Sequence, residues 1–180
     1  MSIKENVYRL ISVVCVLMIS ILACDEPLDT SIPPNQTISI TVNEFMASNT
    51  RTITDEMSDY DDWIELYNKS DSIVQLRSVF VTDDLNVPTR WQMPDTFITP
   101  HGFLILWADG EPQEGRLHTN FRLEQNGEQI GIFHLSDGSL TIIDSLTFGL
   151  QTPDTSFGRF PDGGPQWKIF SSPTPGQPNQ

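Results

Sequence analysis

The chain has 180 residues, with 24 Asp and Glu against 10 Lys and Arg, and a formal charge of −14. This length fits one ordinary domain and a short additional segment. A strongly acidic protein is repelled by phosphate backbones, so we expect no nucleic-acid partner. The 2 Cys cannot form a dense disulfide framework, and the 13 Pro and 11 Gly favour a turn-rich globular domain over a disordered chain.

The N-terminus predicts a secretion signal. Lys4 and Arg9 precede an uncharged apolar run from Leu10 to Leu22, which is followed by Ala23 and Cys24. At about 1.5 Å per residue such a helix spans about 20 Å, less than the roughly 30 Å hydrocarbon core of a membrane, so a signal peptide is favoured over a membrane span. The Leu-Ala-Cys ending resembles the lipobox of bacterial lipoproteins, in which cleavage precedes a Cys that is then acylated.

This interpretation divides the chain into three parts. Residues 1–23 are expected to be a lipoprotein signal peptide, residues 24–37 a disordered tether with lipidated Cys24 at its start, and residues 38–180 the folded domain. Two or three acyl chains suffice for a stable membrane anchor without a basic patch. We therefore expect a bacterial cell-envelope protein, lipid-anchored at the outer membrane. A plain cleaved signal and an uncleaved N-terminal anchor are the alternatives.

From Ile38 onward, apolar side chains recur at every second residue, as expected of β-strands. Six or seven such runs are separated by turn-rich segments, and no stretch has convincing helical periodicity; the runs lie around residues 38–42, 63–67, 74–80, 103–107, 130–135, 140–148 and 167–169. Short strands at this spacing predict an all-β fold, an immunoglobulin-like antiparallel β-sandwich without an inter-sheet disulfide.

The domain also resembles a known family, the lamin-tail domain. The resemblance spans about residues 38–180, and its main segments are ITVNEFMASN at 40–49, DDWIELYN at 61–68, ITPHGFLILWAD at 98–109, SFGRFPDG at 156–163 and PTPGQPN at 173–179. It implies an immunoglobulin-like sandwich and a role in binding or attachment rather than catalysis. Bacterial members of the family often accompany larger catalytic or adhesive domains in one polypeptide.

An acidic segment leads into the second apolar run and is a candidate cation site. Calcium is bound by six to eight oxygen atoms from flexible, carboxylate-rich loops. The expected ligands of a Ca²⁺ ion are Asp55, Asp59, Asp61 and Glu65, although the domain does not require a cofactor. The alternative is a solvated acidic loop whose carboxylates cap local backbone donors.

Large aromatic residues provide a candidate binding surface. Trp63 and Tyr67 share the strand face opposite Ile64 and Leu66, and with Trp91 and Trp107 they could form a platform for a protein or a glycan. The alternative is that these rings are core residues beneath the long loops 83–100 and 110–127, which is the commoner environment of large aromatics.

Other titratable residues give weaker signals. His101, His118 and His134 are scattered without ligand spacing, which favours surface or strand histidines over a zinc site. Glu44 continues the parity of Ile38, Ile40 and Val42, so we expect it to face the core and to be hydrogen-bonded by the turn at residues 47–49. A general acid or base is the alternative for Glu44.

These observations favour a non-catalytic envelope lipoprotein whose lamin-tail domain binds a protein or a glycan at the outer membrane. Two other classes stay open. One is a metal-dependent hydrolase that uses the acidic segment 55–65, and the other is a structural accessory subunit of an envelope machine.

Overall fold

The computed structural model describes residues 38–180, which form eleven β-strands and no helix. The expected signal peptide, Cys24 and the tether lie outside the described residues. Within residues 38–180, no helix has the length and apolar character needed to cross a bilayer. The strands are β1 (Ile40–Met46), β2 (Trp63–Asn68), β3 (Val74–Gln75), β4 (Val79–Thr82), β5 (Trp91–Gln92), β6 (Phe97–Ile98), β7 (Phe103–Trp107), β8 (Gln129–Ser136), β9 (Ser139–Thr147), β10 (Ser156–Arg159) and β11 (Trp167–Phe170).

The strands form two main antiparallel sheets. One has five strands in the order β11-β10-β1-β2-β7, the other has four in the order β5-β4-β8-β9, and β3 and β6 make a separate pair. Val42 and Leu66 of the larger sheet and Val81 and Ile132 of the smaller one belong to a single buried apolar cluster. The expected all-β antiparallel sandwich is therefore confirmed, with its core between the two sheets.

A β-bulge in β1 changes which residues face this core. Val42 pairs with Leu66 but Glu44 pairs with Glu65, so Asn43 is an extra residue. The insertion reverses the alternation, so that Phe45 enters the main core while Glu44 lies beside Glu65 on the other face. Glu44 is buried and hydrogen-bonded, as expected, but the bulge places it on the far face of the sheet instead of in the main core. Its partners are Ser156 and Thr174 and not the turn at residues 47–49.

The apolar run at residues 74–80 is two strands rather than one. A tight turn closes at residues 76–79, where the Val79 amide donates to the Leu76 carbonyl at 2.8 Å. Because of this turn, β3 pairs with β6, whereas β4 pairs with β5 and β8 in the four-stranded sheet. The parity break at Ser78 was the sequence signal of this interruption.

The far face of the five-stranded sheet is covered as well. Met46, Trp63 and Trp107 form a second small buried cluster at one end of this face. Toward the other end, the C-terminal segment 173–179 lies on the sheet: the Thr174 hydroxyl donates to Glu44 Oε2 at 3.0 Å, and the Gly176 amide donates to Glu65 Oε2 at 2.6 Å. Both faces of β1 and β2 are thus buried, which explains why nearly every residue in them is inaccessible.

Candidate functional site

Two loops meet at one end of the five-stranded sheet. The loop at residues 55–61 leads into β2, and the loop at residues 109–118 follows β7. Trp63 at the start of β2 pairs with Trp107 at the end of β7, so the loops emerge side by side. The Ala108 amide donates to the Asp62 carbonyl at 2.7 Å and joins them at their base.

Six titratable side chains converge between these loops. They form three overlapping groups of three, and within each group one potential ligand atom per residue lies within 4.8 Å of the others. We call this set the acid–histidine cluster, and its members are Asp55, Glu56, Asp61, Asp109, Glu114 and His118. Their burial is graded from the fully enclosed His118 to the exposed Glu56, so the cluster extends from the edge of the core to solvent.

His118 is the innermost member, with a side chain that is 0 % exposed. Its Nδ1 is hydrogen-bonded to Asp109 Oδ2. Its Nε2 lies 3.4 Å from Glu56 Oε1 and 3.9 Å from Asp55 Oδ2 but forms no hydrogen bond with either. Nδ1 is therefore held by Asp109, and Nε2 faces the carboxylates.

The backbone approaches His118 closely at Gly115. A Cβ atom at residue 115 would lie 2.4 Å from Glu56 Oε1 and 2.6 Å from His118 Cδ2. Real Cβ atoms do not come so near, so any side chain here would displace the Glu56 and His118 side chains. Gly115 thus lets the second loop close over the imidazole.

Asp55 is oriented by its own loop. Its Oδ1 accepts the amides of Met57 at 2.9 Å and Asp59 at 2.8 Å, an arrangement that fixes the carboxylate in a local turn. Its Oδ2 is buried and has no hydrogen-bond partner. One oxygen therefore positions the side chain and leaves the other directed into the cluster.

Unpartnered buried atoms are concentrated at this place. Among residues 38–180, six buried side-chain nitrogen or oxygen atoms lack a hydrogen-bond partner, and four of them belong to the cluster: Asp55 Oδ2, Asp61 Oδ2, Glu114 Oε2 and His118 Nε2. Buried polar atoms are almost always paired, because leaving one unpaired costs about 1–3 kcal/mol. Four together are unusual and call for a common partner.

The electrostatics of the cluster are dominated by negative charge. Burial, followed by the charges of Asp109 and Asp55, raises the pKa of Asp61 above its ordinary value. Partial burial and the neighbouring Glu111 and Asp109 likewise raise the pKa of Glu114. Burial alone would lower the pKa of His118, but the hydrogen bond and charge of Asp109, together with Glu56, leave it raised.

The structure brings together only part of the predicted calcium site. Asp55 and Asp61 are both in the acid–histidine cluster. Asp59 is exposed, and its side chain belongs to none of the three groups. Only its backbone amide takes part, by donating to Asp55 Oδ1. Glu65 is fully buried within β2 and is not in the cluster.

Glu65 has a structural environment instead. Its Oε1 accepts the Asn43 side-chain amide at 3.0 Å, in addition to the Gly176 amide on Oε2. Burial raises its pKa to about 8, more than these two hydrogen bonds lower it, and the nearby Glu44 adds to the rise. Prediction of Glu65 as a calcium ligand was wrong, because the strand carries it away from the loop and under the C-terminal segment.

The second half of the cluster was not recognised from the sequence. His118 was expected at the surface or in a strand, yet it is buried among acids in a loop. The available sequence signal is that Asp109, Glu114 and His118 lie in the segment that follows the apolar run at residues 103–107, near the end of the predicted strand. The missing information was the register of β7 on β2, which sets one loop beside the other.

The aromatic platform was a wrong prediction. Trp63 is 0 % exposed, Trp91 is 8 % and Trp107 is 9 %, so these three rings are core residues. Tyr67 is only partly buried: its ring lies 5.0 Å from that of Phe103, and its hydroxyl is 3.3 Å from Nδ1 of the exposed His101. Trp63 and Trp107 pack with Met46 and the partly buried Ile53, whereas Trp91 belongs to the core between the two sheets.

An apolar surface occurs elsewhere, on the outer side of the four-stranded sheet. Phe80 pairs with Phe133 across β4 and β8, and Phe133 pairs with Ile142 across β8 and β9. Leu135 and Leu140 form the adjacent pair. Directly paired residues share a face, so these five side chains form one surface, which we call the outer apolar face. Ile142 is 55 % exposed, Leu135 40 % and Leu140 36 %.

Comparisons with protein-family models, with curated proteins and with solved structures give no significant match. The resemblance to the lamin-tail domain therefore stays a prediction from the sequence segments that carry it.

Proposed function

We propose that this protein is a non-catalytic envelope lipoprotein of lamin-tail type, and that its sandwich binds a protein partner. The observation that carries the proposal is the outer apolar face on β4, β8 and β9. The inner face of these strands already supplies the core with Val79, Val81, Ile130 and Ile132. Apolar side chains on the outer face therefore add nothing to this core and are best explained as a contact surface.

The shape of the outer apolar face suits a protein better than a sugar. Its members are aliphatic or phenylalanine side chains in register across three strands. Such surfaces resemble the desolvated centre of protein interfaces, whereas they offer a sugar few hydrogen-bonding groups. Gly131 helps to form the surface, because a Cβ there would lie 2.5 Å from Leu85 Cδ2 and 2.9 Å from Phe133 Cε2.

Site-directed photo-cross-linking tests the contact. A photoreactive amino acid placed at Leu140 in the full chain, in its native membranes, should give a discrete heavier protein product. The matched control is Ile169, which is 71 % exposed on β11 of the other sheet and should give none. Ile142→Asp should remove the product. Absence of a product from Leu140, or binding in a glycan array that survives Ile142→Asp, would contradict a protein partner at this face.

The anchor has its own test. The apolar run before Cys24 supports lipidation, and the first strand of the sandwich begins sixteen residues beyond Cys24, at Ile40. Cys24→Ala should prevent incorporation of a labelled fatty acid and should move the protein from the membrane to the soluble fraction. A variant that stays in the membrane would support an uncleaved N-terminal anchor instead.

Metal-dependent hydrolysis is a second candidate function, and the acid–histidine cluster is the observation that favours it. Carboxylates and an imidazole at the surface end of a sheet can bind an ion that activates water. Hydrolysis of nitrophenyl esters and phosphate esters by the zinc-loaded full chain, lost in Asp61→Asn, would support this candidate. Equal rates for the two proteins would remove it.

A further inference from the structure

We propose that the acid–histidine cluster binds one divalent transition-metal ion of the zinc type, with protein ligands Asp55, Asp61, Glu114 and His118. This inference does not depend on the proposed partner or on hydrolysis. The proposed protein partner contacts the outer apolar face and leaves the acid–histidine cluster without a function. The present inference assigns an ion and its ligands to that cluster.

The unpartnered atoms are the first argument. Both Asp55 and His118 have side chains that are 0 % exposed, and Asp55 Oδ2 and His118 Nε2 are unpaired 3.9 Å apart. Two ligands of a tetrahedral zinc ion, each about 2.0–2.2 Å from the metal, are about 3.3–3.6 Å apart. A small inward movement therefore places both atoms on one ion. Asp61 Oδ2 and Glu114 Oε2 complete the set, because each is buried and unpartnered in the same cluster.

The orientation of His118 is the second argument. Histidine ligands of metals usually donate the other ring N–H to a carboxylate or carbonyl, which fixes the tautomer and aims the lone pair. Asp109 Oδ2 bonds Nδ1, and Asp109 Oδ1 is itself held by the Glu111 amide at 2.8 Å. We assign Nδ1 as the protonated nitrogen, which leaves the Nε2 lone pair for the ion. Asp109 is thus a positioning residue and not a ligand.

The mixed ligand set decides between ions. Calcium and magnesium are bound mainly by oxygen, whereas imidazole nitrogen is a typical ligand of zinc and its neighbours in the transition series. The expectation of calcium considered oxygen ligands alone. Because the unpartnered Nε2 of His118 is one of the ligand atoms available in the cluster, the structure favours a zinc-type ion over Ca²⁺.

Charge balance supports a cation. Within residues 38–180, the ion pairs that Asp55, Glu56 and Asp109 make are all with His118, and none is with Lys or Arg. Nearby carboxylates without a cation repel one another. A divalent ion would relieve this repulsion and satisfy the four unpartnered atoms at once.

The ion would also join the two loops. Asp61 and His118 do not occur in a common group of three, so both reach one ion only if their loops close around it. The exposed Glu56 marks the solvent side of the cluster, with its Oε1 3.4 Å from His118 Nε2.

The test measures zinc binding by the full chain, extracted from membranes in detergent and stripped with a chelator. We expect one zinc ion per chain by elemental analysis and calorimetry. Asp61→Asn and Glu114→Gln should each weaken binding at least about tenfold. Asp59→Asn, an exposed acid in the same loop, should change it by no more than about twofold. Millimolar Ca²⁺ should not displace the zinc.

The melting temperature is a second readout. If the cluster were only structural, the effect of a substitution on the melting temperature would not depend on zinc. Saturating zinc should raise it by about 5–10 °C in the wild-type chain. In the stripped protein, Asp61→Asn should melt higher than the wild type, because it removes one of the crowded charges. With zinc, the same variant should melt lower than the wild type.

Cobalt identifies the histidine ligand. The Co²⁺-loaded wild type should have visible absorption that changes in His118→Gln. If that variant fails to fold, Asp61→Asn still tests the site, because it should melt above the wild type without zinc and below the wild type with zinc. The proposal is overturned by the absence of a bound zinc equivalent, by unchanged affinity in both carboxylate variants, or by calcium binding more tightly than zinc.

Discussion

An ion pair between Asp144 and Arg159 connects the two sheets. Asp144 lies in β9, and its Oδ2 is 3.0 Å from Arg159 Nη2 on β10. The same carboxylate accepts the Val42 amide of β1 at 3.0 Å. Arg159 in turn donates from Nε to the Val42 carbonyl at 2.8 Å and lies 4.6 Å from the centre of the Trp167 ring. Both side chains are less than one fifth exposed.

Asp144→Asn tests this connection. The amide keeps the volume but leaves the guanidinium without its counter-charge, so we expect a loss of about 2 kcal/mol in the free energy of unfolding. Denaturant titration would measure it. Asp95→Asn, at an exposed position, is the control and should change stability by less than about 0.5 kcal/mol. Equal stability of the two variants would contradict the role of the ion pair.

The environment of single residues was the hardest feature to predict from the sequence. The parity rule placed Ile40, Val42 and Leu66 in the core, since a strand buries alternate side chains. It failed at Glu44, because the extra residue Asn43 reverses the alternation and a bulge leaves no clear mark in a single sequence. It also could not tell that Trp63 is covered, since the covering chain comes from distant segments.

The C-terminal segment 173–179 is an element without regular secondary structure that is held by buried acids. Glu44 accepts the Thr174 amide at 3.2 Å, and Glu65 accepts the Gly176 amide. Asn179 donates its side-chain amide to the Arg159 carbonyl at 2.7 Å. The segment thereby serves as a cover for the far face of the five-stranded sheet.

The raised pKa of Glu65 predicts a pH dependence. In the folded chain the pKa is about 8, against an ordinary value of 4.5. The folded state therefore binds the proton more tightly, and this group's stabilising contribution is present below about pH 4.5 and is lost as the pH rises through 8. The melting temperature of the wild type should fall from pH 5 to pH 8.5 more steeply than that of Glu65→Gln.

Asp95→Asn is the control for this measurement, because Asp95 is exposed. Its melting temperature should follow the wild-type curve with pH. If the slope in Glu65→Gln equals the wild-type slope, then Glu65 is not the titrating group.

Strands were predicted better than their connections. β1, β2, β7 and β8 each coincide with an apolar run in the sequence, because burial on at least one face requires apolar side chains there. β9 also coincides with an apolar run, but its Leu140 and Ile142 are exposed. The short strands β5 and β6 have two residues each, too few to produce a period. The acid–histidine cluster depends on two loops that are adjacent only through the pairing of β2 with β7, and this long-range register is absent from local sequence patterns.

At the scale of the whole molecule, the charge of −14 opposes compaction. Added salt screens this repulsion, because the Debye length is about 10 Å at 0.1 M salt and only about 3 Å at 1 M. We therefore expect the melting temperature of the chelator-treated protein to rise by a few degrees between 10 mM and 500 mM NaCl. Differential scanning calorimetry would check this. A fall with salt would mean that attractive ion pairs, such as Asp144–Arg159, outweigh the repulsion.

The central position of β1 has a consequence for how the chain is made. β1 is paired with β2 on one side and with β10 on the other, so Phe45 lies between Ile64 and Phe157. During synthesis β1 leaves the ribosome first, but one of its edges has no partner until β10 has been synthesised. The five-stranded sheet therefore cannot close before β10 has emerged, and its closure depends on contacts between distant segments, which form slowly.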